Sequence, residues 1–406
     1  MSSGAETVIV GGGIWGLSTA FHLAERGAGP VRVLERNSEV AAETTPRAAG
    51  LVGQVRSSAA MCRAVRYALD LLSGFGERSG HDPGLRRPGS LLVALTPERM
   101  AAYEGLLERA GASGVEAAFV SRGEMERLCP GLDIARLEGG CYITGDGYVD
   151  PGRCARAYAA AAGDLGVRID CSAEVTGLDV EGGAVRGVRT AGETVPADRV
   201  VLTAGPWSSR LLRRFGADEL PLQTIRHQRA RTAAAGISAG HPVVRVTEVS
   251  CYVRPERGGY LYGFFEPEPH LVDFDDLPEG FSTSDLDEPR GTIAEAADRL
   301  APLFPSLPGL EVAEYSQGVT AFAPDGGYLL GPVPAVEGLY VASACAALGI
   351  AGSAAVGRWL AAWVIDGDPG EDLAEFGLGR FGERGRDPEW VRRESRDFYA
   401  TYYNVR

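Results

Sequence analysis

The chain opens with a short apolar run, a glycine-rich turn and a helical pattern. Residues 8–10 (Val-Ile-Val) are apolar without alternation, which is typical of a strand buried on both faces of a sheet. A helix to about Arg26 and a second apolar run at 31–34 follow. This strand–helix–strand unit of ~30 residues predicts a parallel sheet of the kind that binds dinucleotides.

The remaining pattern divides the chain into helical and strand-rich stretches. Helices are predicted over 60–80, 97–111, 152–166 and 292–300. Strands are predicted over 167–169, 175–180, 185–188, 199–203 and within 221–265, with a hairpin turn at Gly182-Gly183. Segment 339–366 predicts a strand, a glycine turn and an apolar helix. The tail 380–406 is rich in Arg and Tyr and is expected to pack on the surface.

Composition excludes several classes of function. The 406 residues carry 40 basic and 54 acidic side chains, a net charge of −14, so we expect neither nucleic acid nor a membrane as a partner. Every basic residue is arginine. Without lysine, the chain can form no Schiff base with a carbonyl compound and has no P-loop.

The cysteines and histidines indicate no disulfide framework and no metal site. The 7 cysteines and 5 histidines form no Cys-x-x-Cys, His-x-His or His-Glu-x-x-His motif. The chain enters its first strand without a basic region and an apolar signal core, and glycines interrupt the apolar helix after residue 349. We therefore expect a cytoplasmic protein without a membrane span.

A glycine motif after the first strand predicts a dinucleotide site. Gly11, Gly13 and Gly16 fit Gly-x-Gly-x-x-Gly between a strand and a helix, and Glu35 ends the next strand. In such motifs the glycines form the turn, admit the pyrophosphate and pack helix on strand, and the acidic residue accepts from the ribose hydroxyls. No second motif follows a later strand, which favours FAD reduced directly by a substrate over NAD.

Further motifs lie at 31–36, 44–56, 147–151, 200–207, 259–266, 324–326, 349–350 and 365–369. Through them nearly the whole chain resembles the D-amino-acid-oxidase superfamily, and within it the flavin domain of dimethylglycine and sarcosine dehydrogenases. The resemblance implies an α/β plus α+β fold, without the tetrahydrofolate-binding region of longer relatives. It implies a discontinuous Rossmann-type FAD-binding domain (1–80, 142–216 and 318–375), a β-rich substrate domain (81–141 and 217–317) and a C-terminal tail (376–406).

The resemblance also implies which residues bind FAD. They are Gly11, Gly13, Ile14, Trp15, Gly16, Glu35, Arg36, Thr44, Thr45, Ala48, Ala49, Gly50, Leu51, Val175, Ala204, Gly205, Trp207, Gly326, Leu348, Gly349, Ile350 and Ala351. Relatives with covalent flavin attach it through a histidine before the Ala-Ala-Gly stretch or a cysteine before Pro-Asp-Gly. Here Pro46-Arg47 and residues 321–323 (Ala-Phe-Ala) stand at those places, so we expect non-covalent FAD. Cys345, near the glycine turn, is interpreted as a buried, unreactive thiol.

The stretch 225–232 carries candidate substrate ligands. In a strand, His227, Arg229 and Arg231 share one face, and arginine binds carboxylates through two parallel hydrogen bonds, although a solvated edge strand would carry the same charges. By resemblance, further candidates are Tyr252, Arg245, Arg47, Arg56 and Tyr262. We assign His227, Arg229 and Tyr252 to catalysis and Arg47, Arg56, Arg231, Arg245 and Tyr262 to substrate binding.

Together these features predict an FAD-dependent enzyme that oxidises the C–N bond of a secondary, possibly N-methylated, amino acid or amine to an imine by hydride transfer. The alternatives are an oxidase of primary, glycine-type or D-amino acids, a flavin monooxygenase, and a flavin-binding protein without activity. We expect a small amine substrate bearing a carboxylate. The electron acceptor is oxygen or unknown. Sarcosine oxidases activate oxygen with a lysine on the strand that here reads 259–263, so a lysine-free chain favours dehydrogenase behaviour.

Overall fold

Strands and helices alternate along residues 6–403, the part of the chain that the computed structural model describes. In chain order the strands are β1 Thr7–Val10, β2 Val31–Leu34, β3 Leu51–Val52, β4 Ser90–Ala94, β5 Ala117–Val120, β6 Gly139–Ile143, β7 Gly147–Tyr148, β8 Arg168–Asp170, β9 Val175–Glu181, β10 Ala184–Thr190, β11 Thr194–Pro196, β12 Arg199–Leu202, β13 Gln223–Thr232, β14 Val243–Val246, β15 Cys251–Glu256, β16 Gly259–Phe264, β17 Val312–Phe322, β18 Leu329–Pro332 and β19 Leu339–Ser343. The helices are α1 Ile14–Glu25, α2 Thr44–Arg47, α3 Ala59–Ser79, α4 Pro97–Ala112, α5 Arg122–Leu128, α6 Pro151–Asp164, α7 Ser208–Arg214, α8 Arg290–Leu300, α9 Ser353–Asp366 and α10 Pro388–Ala400.

A six-stranded sheet in the order β18-β19-β12-β1-β2-β8 carries the glycine motif. Strand β1 pairs in parallel with both β2 and β12, and Val8 and Ile9 are fully buried. Helices α1, α3, α6 and α9 form one core cluster with this sheet. The small antiparallel sheet of β9, β10 and β11 covers the other face. This arrangement confirms the predicted Rossmann-type fold, and it places a ligand crevice at the carboxyl ends of the parallel strands.

The hairpin predicted at Gly182-Gly183 joins β9 to β10. The two glycines have φ angles of +61° and +84°, the left-handed region that a two-residue hairpin turn requires. The helices predicted over 60–80, 97–111, 152–166 and 292–300 correspond to α3, α4, α6 and α8 within one or two residues at most termini. Local glycine and proline signals were therefore sufficient to locate these elements.

A second sheet has eight strands in the order β17-β13-β16-β15-β14-β4-β6-β5. Helix α8 packs on one face, in a cluster with Tyr260, Tyr262 and Phe264. Because side chains alternate along a strand, Tyr252 and Leu261 lie on the opposite face, in a cluster with Phe265. The sheet takes its strands from two separate stretches, 90–143 and 223–322. The domain boundaries given above stay a prediction.

Helix α10 agrees with the expectation that the C-terminal tail packs on the surface of the molecule. Asp387 caps the helix by accepting from the backbone N–H groups of Glu389 and Trp390. Its buried residues, Val391, Ser395 and Tyr399, recur every four residues, and the ring of Tyr399 is fully buried. The other side chains of α10 are exposed or half-buried, so the helix packs on the molecule through this one stripe. Within residues 6–403, no helix is both long and apolar enough to cross a membrane.

Candidate active site

A cavity of about 550 Å³ lies where the carboxyl ends of the six-stranded sheet meet the face of the eight-stranded sheet that carries Tyr252. Its lining includes the predicted cofactor residues Gly11, Gly13, Ile14, Trp15, Glu35, Arg36, Thr44, Thr45, Ala48, Ala49, Gly50, Leu51, Val175, Ala204, Gly205, Trp207, Gly326, Leu348, Gly349 and Ile350. Gly16 and Ala351 are not part of the lining. A Cβ on Gly16 would lie 2.0 Å from the carbonyl oxygen of Gly11, so Gly16 packs α1 against the preceding turn. Ala351 is fully buried in the core cluster that also contains residues of α9.

The glycine motif leaves an open approach to the first turn of α1. Gly11 has φ +108°, and a Cβ there would lie 2.8 Å from the carbonyl oxygen of Thr203. At Gly13 the nearest atom to an added Cβ is Thr45 Oγ1 at 3.6 Å, so the space before the helix is open. The first N–H groups of a helix have no intrahelical acceptor and attract anions. This geometry fits the pyrophosphate of a dinucleotide.

Glu35 is positioned to bind a ribose. Its carboxylate accepts hydrogen bonds from the backbone N–H of Gly12 (2.8 Å) and from the backbone N–H and side-chain Nδ2 of Asn37 (both 2.8 Å). A carboxylate offers about four acceptor sites, so one site remains for a hydroxyl donor. Glu35 lines the cavity and is 7% exposed.

Arg36 and Trp207 form a wall beside this carboxylate. The guanidinium of Arg36 lies 4.1 Å from the centre of a Trp207 ring, a cation–π contact. Arg36 also donates to Glu43 Oε1 (2.7 Å) and to the carbonyl oxygen of Phe281 (2.9 Å). Arg36 is therefore held rigidly, and with Trp207 it contributes a flat surface at this end of the cavity.

A strained loop connects β19 to α9 at the cavity. Ala344, Ala346 and Ala347 have φ angles of +54°, +45° and +59°, which cost of order 1–3 kcal/mol each for residues with a side chain. Trp15 Nε1 donates to the carbonyl oxygen of Gly349 (2.8 Å) and ties this loop to α1. Helix α9 begins at Ser353, later than the glycine turn at Gly349 suggested. No glycine marks these three positions, so the strain could not be predicted from the residues.

Cys345 lies in this loop between β19 and α9. Its Sγ lies 3.4 Å from Thr320 Oγ1, and burial raises the pKa of the thiol. A thiol with a raised pKa is protonated at neutral pH and is a poor nucleophile.

Of the three β13 residues that were predicted to act together, only one lies at the cavity. His227 lines the cavity, but Arg229 and Arg231 do not. Arg229 donates to the carbonyl oxygens of Arg47 (2.9 Å) and Pro46 (3.1 Å) and pairs with Glu314 (3.3 Å). Arg231 pairs with the same carboxylate at 3.2 Å. Each nitrogen of the Arg229 guanidinium has an acceptor, so its assignment to a substrate carboxylate is corrected to a role in holding the loop at residues 46–47.

Tyr262 differs from its assignment, whereas Arg47 lies at the cavity to which it was assigned. Tyr262 belongs to the core cluster with α8, on the face of the second sheet that is turned away from the cavity. Arg47 lines the cavity, but its Nη1 donates to the carbonyl oxygens of Ala42 and Glu43. The period-two alternation of β16 explains Tyr262, because only its neighbours Leu261 and Gly263 are on the cavity side.

His227 and Tyr252 form a hydrogen-bonded pair at the cavity. His227 Nε2 lies 3.0 Å from the hydroxyl of Tyr252, and both residues line the cavity. Burial, together with the charge of Arg229, lowers the pKa of His227 to about 4, so the ring is neutral at pH 7. Gly263, on the neighbouring strand, makes room for this pair, since a Cβ there would lie 2.5 Å from the Tyr252 hydroxyl.

Arg245 and Arg56 face the cavity without a carboxylate partner among residues 6–403. Arg245 is 8% exposed. A Cβ on Gly53 would lie 2.4 Å from its Nη2, so Gly53 provides the space for the guanidinium. The Nε of Arg56 is buried and has no hydrogen-bond partner. Arg109, which sequence reasoning missed, lines the same cavity with an equally unpartnered Nε.

The C-terminal segment closes this side of the cavity. Phe398, Thr401, Tyr402 and Tyr403 contribute to the lining. The ring of Tyr402 stacks on Phe265 with centroids 4.0 Å apart and an interplanar angle of 8°. These residues carry no recognisable motif, so only the fold brings them to the site.

The fold and the cavity define a dinucleotide-binding protein in which a second sheet closes over the nucleotide site. The model of the family described as FAD dependent oxidoreductase (DAO) matches residues 6–363, and the chain belongs to this family. The predicted cofactor, FAD, is thereby confirmed, and the residues around the cavity fit it.

Individual relatives show how far the similarity extends. The chain is 30% identical over 388 residues to the mitochondrial dimethylglycine dehydrogenase of Rattus norvegicus, and the match covers 93% of this chain and 45% of that protein. It is 29% identical over 400 residues to 4-methylaminobutanoate oxidase (formaldehyde-forming) of Paenarthrobacter nicotinovorans, covering 98% of this chain and 48% of the relative. This chain therefore spans less than half the length of these two relatives. It is 30% identical over 346 residues to glycine oxidase of Pseudomonas putida, covering 83% of this chain and 88% of the relative.

Solved structures agree in fold. The structure of glycine oxidase from Geobacillus kaustophilus superposes with a TM-score of 0.79 at 26% identity and covers 93% of this chain and 99% of that chain. L-proline dehydrogenase from P. horikoshii superposes with a TM-score of 0.85 at 23% identity, covering 95% and 99%, which is evidence of a shared fold alone.

Proposed function

We propose that this chain oxidises the C–N bond of a secondary, in particular an N-methylated, amino acid to an imine. The observation that carries the proposal is the pair Arg245 and Arg56. Both face the cavity, and neither has a carboxylate partner among residues 6–403. A buried charge without a partner is costly, and a ligand carboxylate would remove that cost. The names of the relatives support the same substrate class, since two of them describe N-methylated amino acids.

Each part of the cavity has a task in this reaction. FAD, when bound, supplies the acceptor for the hydride. Arg245 and Arg56 hold the carboxylate of the substrate, which fixes the orientation of the neighbouring C–N bond. Tyr252 presents its hydroxyl oxygen to the substrate nitrogen while its proton faces the neutral His227. The stacked rings of Phe265 and Tyr402 exclude water from this side.

An anaerobic screen tests the proposal. Purified holoenzyme is mixed under nitrogen with secondary, N-methylated and primary amino acids, and the flavin absorbance is followed. We expect bleaching by secondary or N-methylated amino acids. Bleaching by glycine or D-amino acids alone would select the alternative that the glycine oxidase relatives represent. Bleaching by NADPH and by no amine would contradict the proposal and favour a monooxygenase.

We also propose that the enzyme transfers its electrons more readily to an artificial acceptor than to oxygen. A cation near the reacting atoms stabilises developing superoxide. The chain has no lysine to supply such a cation, and the substrate carboxylate would pair with Arg245 and Arg56 and offset one of their two positive charges. Stopped-flow reoxidation of the substrate-reduced enzyme in air-saturated buffer measures this. Reoxidation faster than overall turnover would show oxidase chemistry instead.

A further inference from the structure

Helix α10 brings a tyrosine into contact with the polar pair of the cavity. His227 Nδ1 lies 2.9 Å from the hydroxyl of Tyr399, while its Nε2 lies 3.0 Å from the hydroxyl of Tyr252. The Tyr399 hydroxyl also donates to the carboxylate of Glu266. Four side chains from four separate segments thus form one continuous row of hydrogen bonds that begins at the cavity and ends in the protein interior.

The geometry points to Tyr399 as a positioning residue that fixes the proton of His227 on Nδ1 and connects the Tyr252–His227 pair to Glu266 as the final proton acceptor. This inference rests on the proposed function only for the origin of the proton, which is the ammonium group of the substrate. The hydrogen-bond row itself is independent of which substrate binds.

The number of protons in the row determines which group donates and which accepts in each hydrogen bond. A tyrosine hydroxyl has one donor, and an ionised carboxylate only accepts. The Tyr399 hydroxyl donates its hydrogen bond to Glu266, so its oxygen accepts a hydrogen bond from His227 Nδ1–H. His227 Nε2 then carries no proton and accepts from the Tyr252 hydroxyl. The lone pairs of the Tyr252 oxygen remain for the cavity, where a substrate N–H can donate to them.

The same row can carry a proton away from the substrate without leaving an unbalanced charge. The substrate ammonium gives a proton to Tyr252, Tyr252 gives its own to His227 Nε2, His227 gives its Nδ1 proton to Tyr399, and Tyr399 gives its proton to Glu266. The substrate becomes a neutral amine and Glu266 becomes a neutral carboxylic acid. Tyr252, His227 and Tyr399 end as they began in charge, with the histidine in the other tautomer.

Glu266 has the environment of a terminal acceptor. It is 8% exposed, and Gln228 Nε2 donates to its Oε1 at 3.0 Å. Burial raises the pKa of Glu266, which favours uptake of a proton compared with an exposed carboxylate. His227 alone could not serve, because burial lowers its pKa to about 4. Among residues 6–403, the other charged or titratable groups near the row include Arg229 and Arg226 on β13, Arg254 on β15, Tyr315 on β17 and Tyr403 after α10.

The protonation of His227 can be tested without any activity measurement. The chain has 5 histidines, so ¹⁵N-histidine labelling gives a spectrum simple enough to assign His227 with a His227→Gln variant. We expect the Nδ1–H tautomer in the wild-type holoenzyme. In Tyr399→Phe, Nδ1 loses its acceptor, so the ring should shift to Nε2–H and donate to Tyr252. A wild-type Nε2–H tautomer, or no change in Tyr399→Phe, would overturn the inference.

The rate of anaerobic flavin reduction at low substrate concentration tests the proton route. Tyr399→Phe and Glu266→Gln interrupt it, so the ammonium form of the substrate should react at least about tenfold more slowly at pH 7. At about pH 10 much of the substrate is already neutral, and the loss should fall below about threefold. An equal loss at both pH values indicates a structural role and would refute the inference, as would an unchanged rate at pH 7.

Tyr142→Phe provides the matched control. It also removes one tyrosine hydroxyl hydrogen bond, to the carbonyl oxygen of Pro88 (2.8 Å), but Tyr142 does not line the cavity. We expect a parallel pH profile to that of the wild type. If the wild-type holoenzyme oxidises no amine, the proposed function fails, and the tautomer of His227 still decides whether Tyr399 has the inferred role.

Discussion

Arg229 and Arg245 lie on strands of the same sheet, and their surroundings give them different roles. Each nitrogen of the Arg229 guanidinium has an acceptor, either Glu314 or one of two backbone carbonyl oxygens. Arg245 has no carboxylate partner among residues 6–403, and Gly53 leaves space beside it. A guanidinium without a carboxylate partner at a cavity is available for a ligand, whereas one whose three nitrogens all have protein acceptors supports the fold.

Replacing Arg245 should therefore weaken substrate binding. Arg245→Ala is expected to raise the KM for a carboxylate-bearing substrate at least tenfold, about 1.4 kcal/mol. Arg245→Lys should restore only part of the loss, because an ammonium lacks the planar fork of a guanidinium. Steady-state kinetics with an artificial acceptor measure both values. Arg290→Ala, which removes an exposed ion pair with Glu288, is the control and should not change KM. A KM unaffected by Arg245→Ala would remove the main support for the carboxylate site.

At the scale of elements, α10 shows how a terminal helix completes the cavity. Its residue Phe398 packs against Gly326, where an added Cβ would lie 1.9 Å from the phenyl ring. Gly326 has φ +68° and lines the cavity. The glycine is therefore required both by its backbone conformation and by the close approach of the helix.

Gly326→Ala should displace α10 and destabilise the protein. The clash adds about 1–3 kcal/mol to the cost of the left-handed backbone. Gly216→Ala separates the two effects, because Gly216 has φ +77° and nothing within 4 Å of an added Cβ. Thermal unfolding should show a clearly larger loss of stability for Gly326→Ala than for Gly216→Ala. Equal losses would mean that α10 does not press against this glycine.

The strands and helices of the nucleotide-binding half could be predicted from local signals. Apolar runs, the glycine motif and turn glycines act over a few residues, so Gly11, Gly13 and Glu35 were placed correctly at the cavity. The substrate side depends on which face of a strand is covered and on contacts between distant segments. The sequence alone could not show that Glu314 forms an ion pair with Arg229, or that Tyr262 faces α8. Nor could it show that the Tyr399 hydroxyl lies within hydrogen-bond distance of His227.

For the whole molecule, the manner of FAD attachment follows from what surrounds the cavity. By the resemblance described above, Pro46 and Arg47 stand at the position of the attaching histidine in covalent flavoproteins. Burial raises the pKa of the Cys345 thiol at the cavity. We expect acid precipitation to release all the yellow colour into the supernatant, as measured by its absorbance near 450 nm. Cys345→Ser, as a check, should not change the released fraction. Colour retained by the precipitated protein would show a covalent bond.

In the proposed reaction, one cavity holds both FAD and a carboxylate-bearing amine. The most direct measurement is anaerobic reduction of the holoenzyme by a matched pair: an N-methylated amino acid and the same amine without its carboxylate. We expect flavin bleaching by the amino acid to be at least about a hundredfold faster at equal low concentration, about 2.7 kcal/mol. Most of this preference should be lost in the Arg56→Ala/Arg245→Ala double variant. Equal bleaching by both amines, or a preference that survives in the double variant, would contradict it.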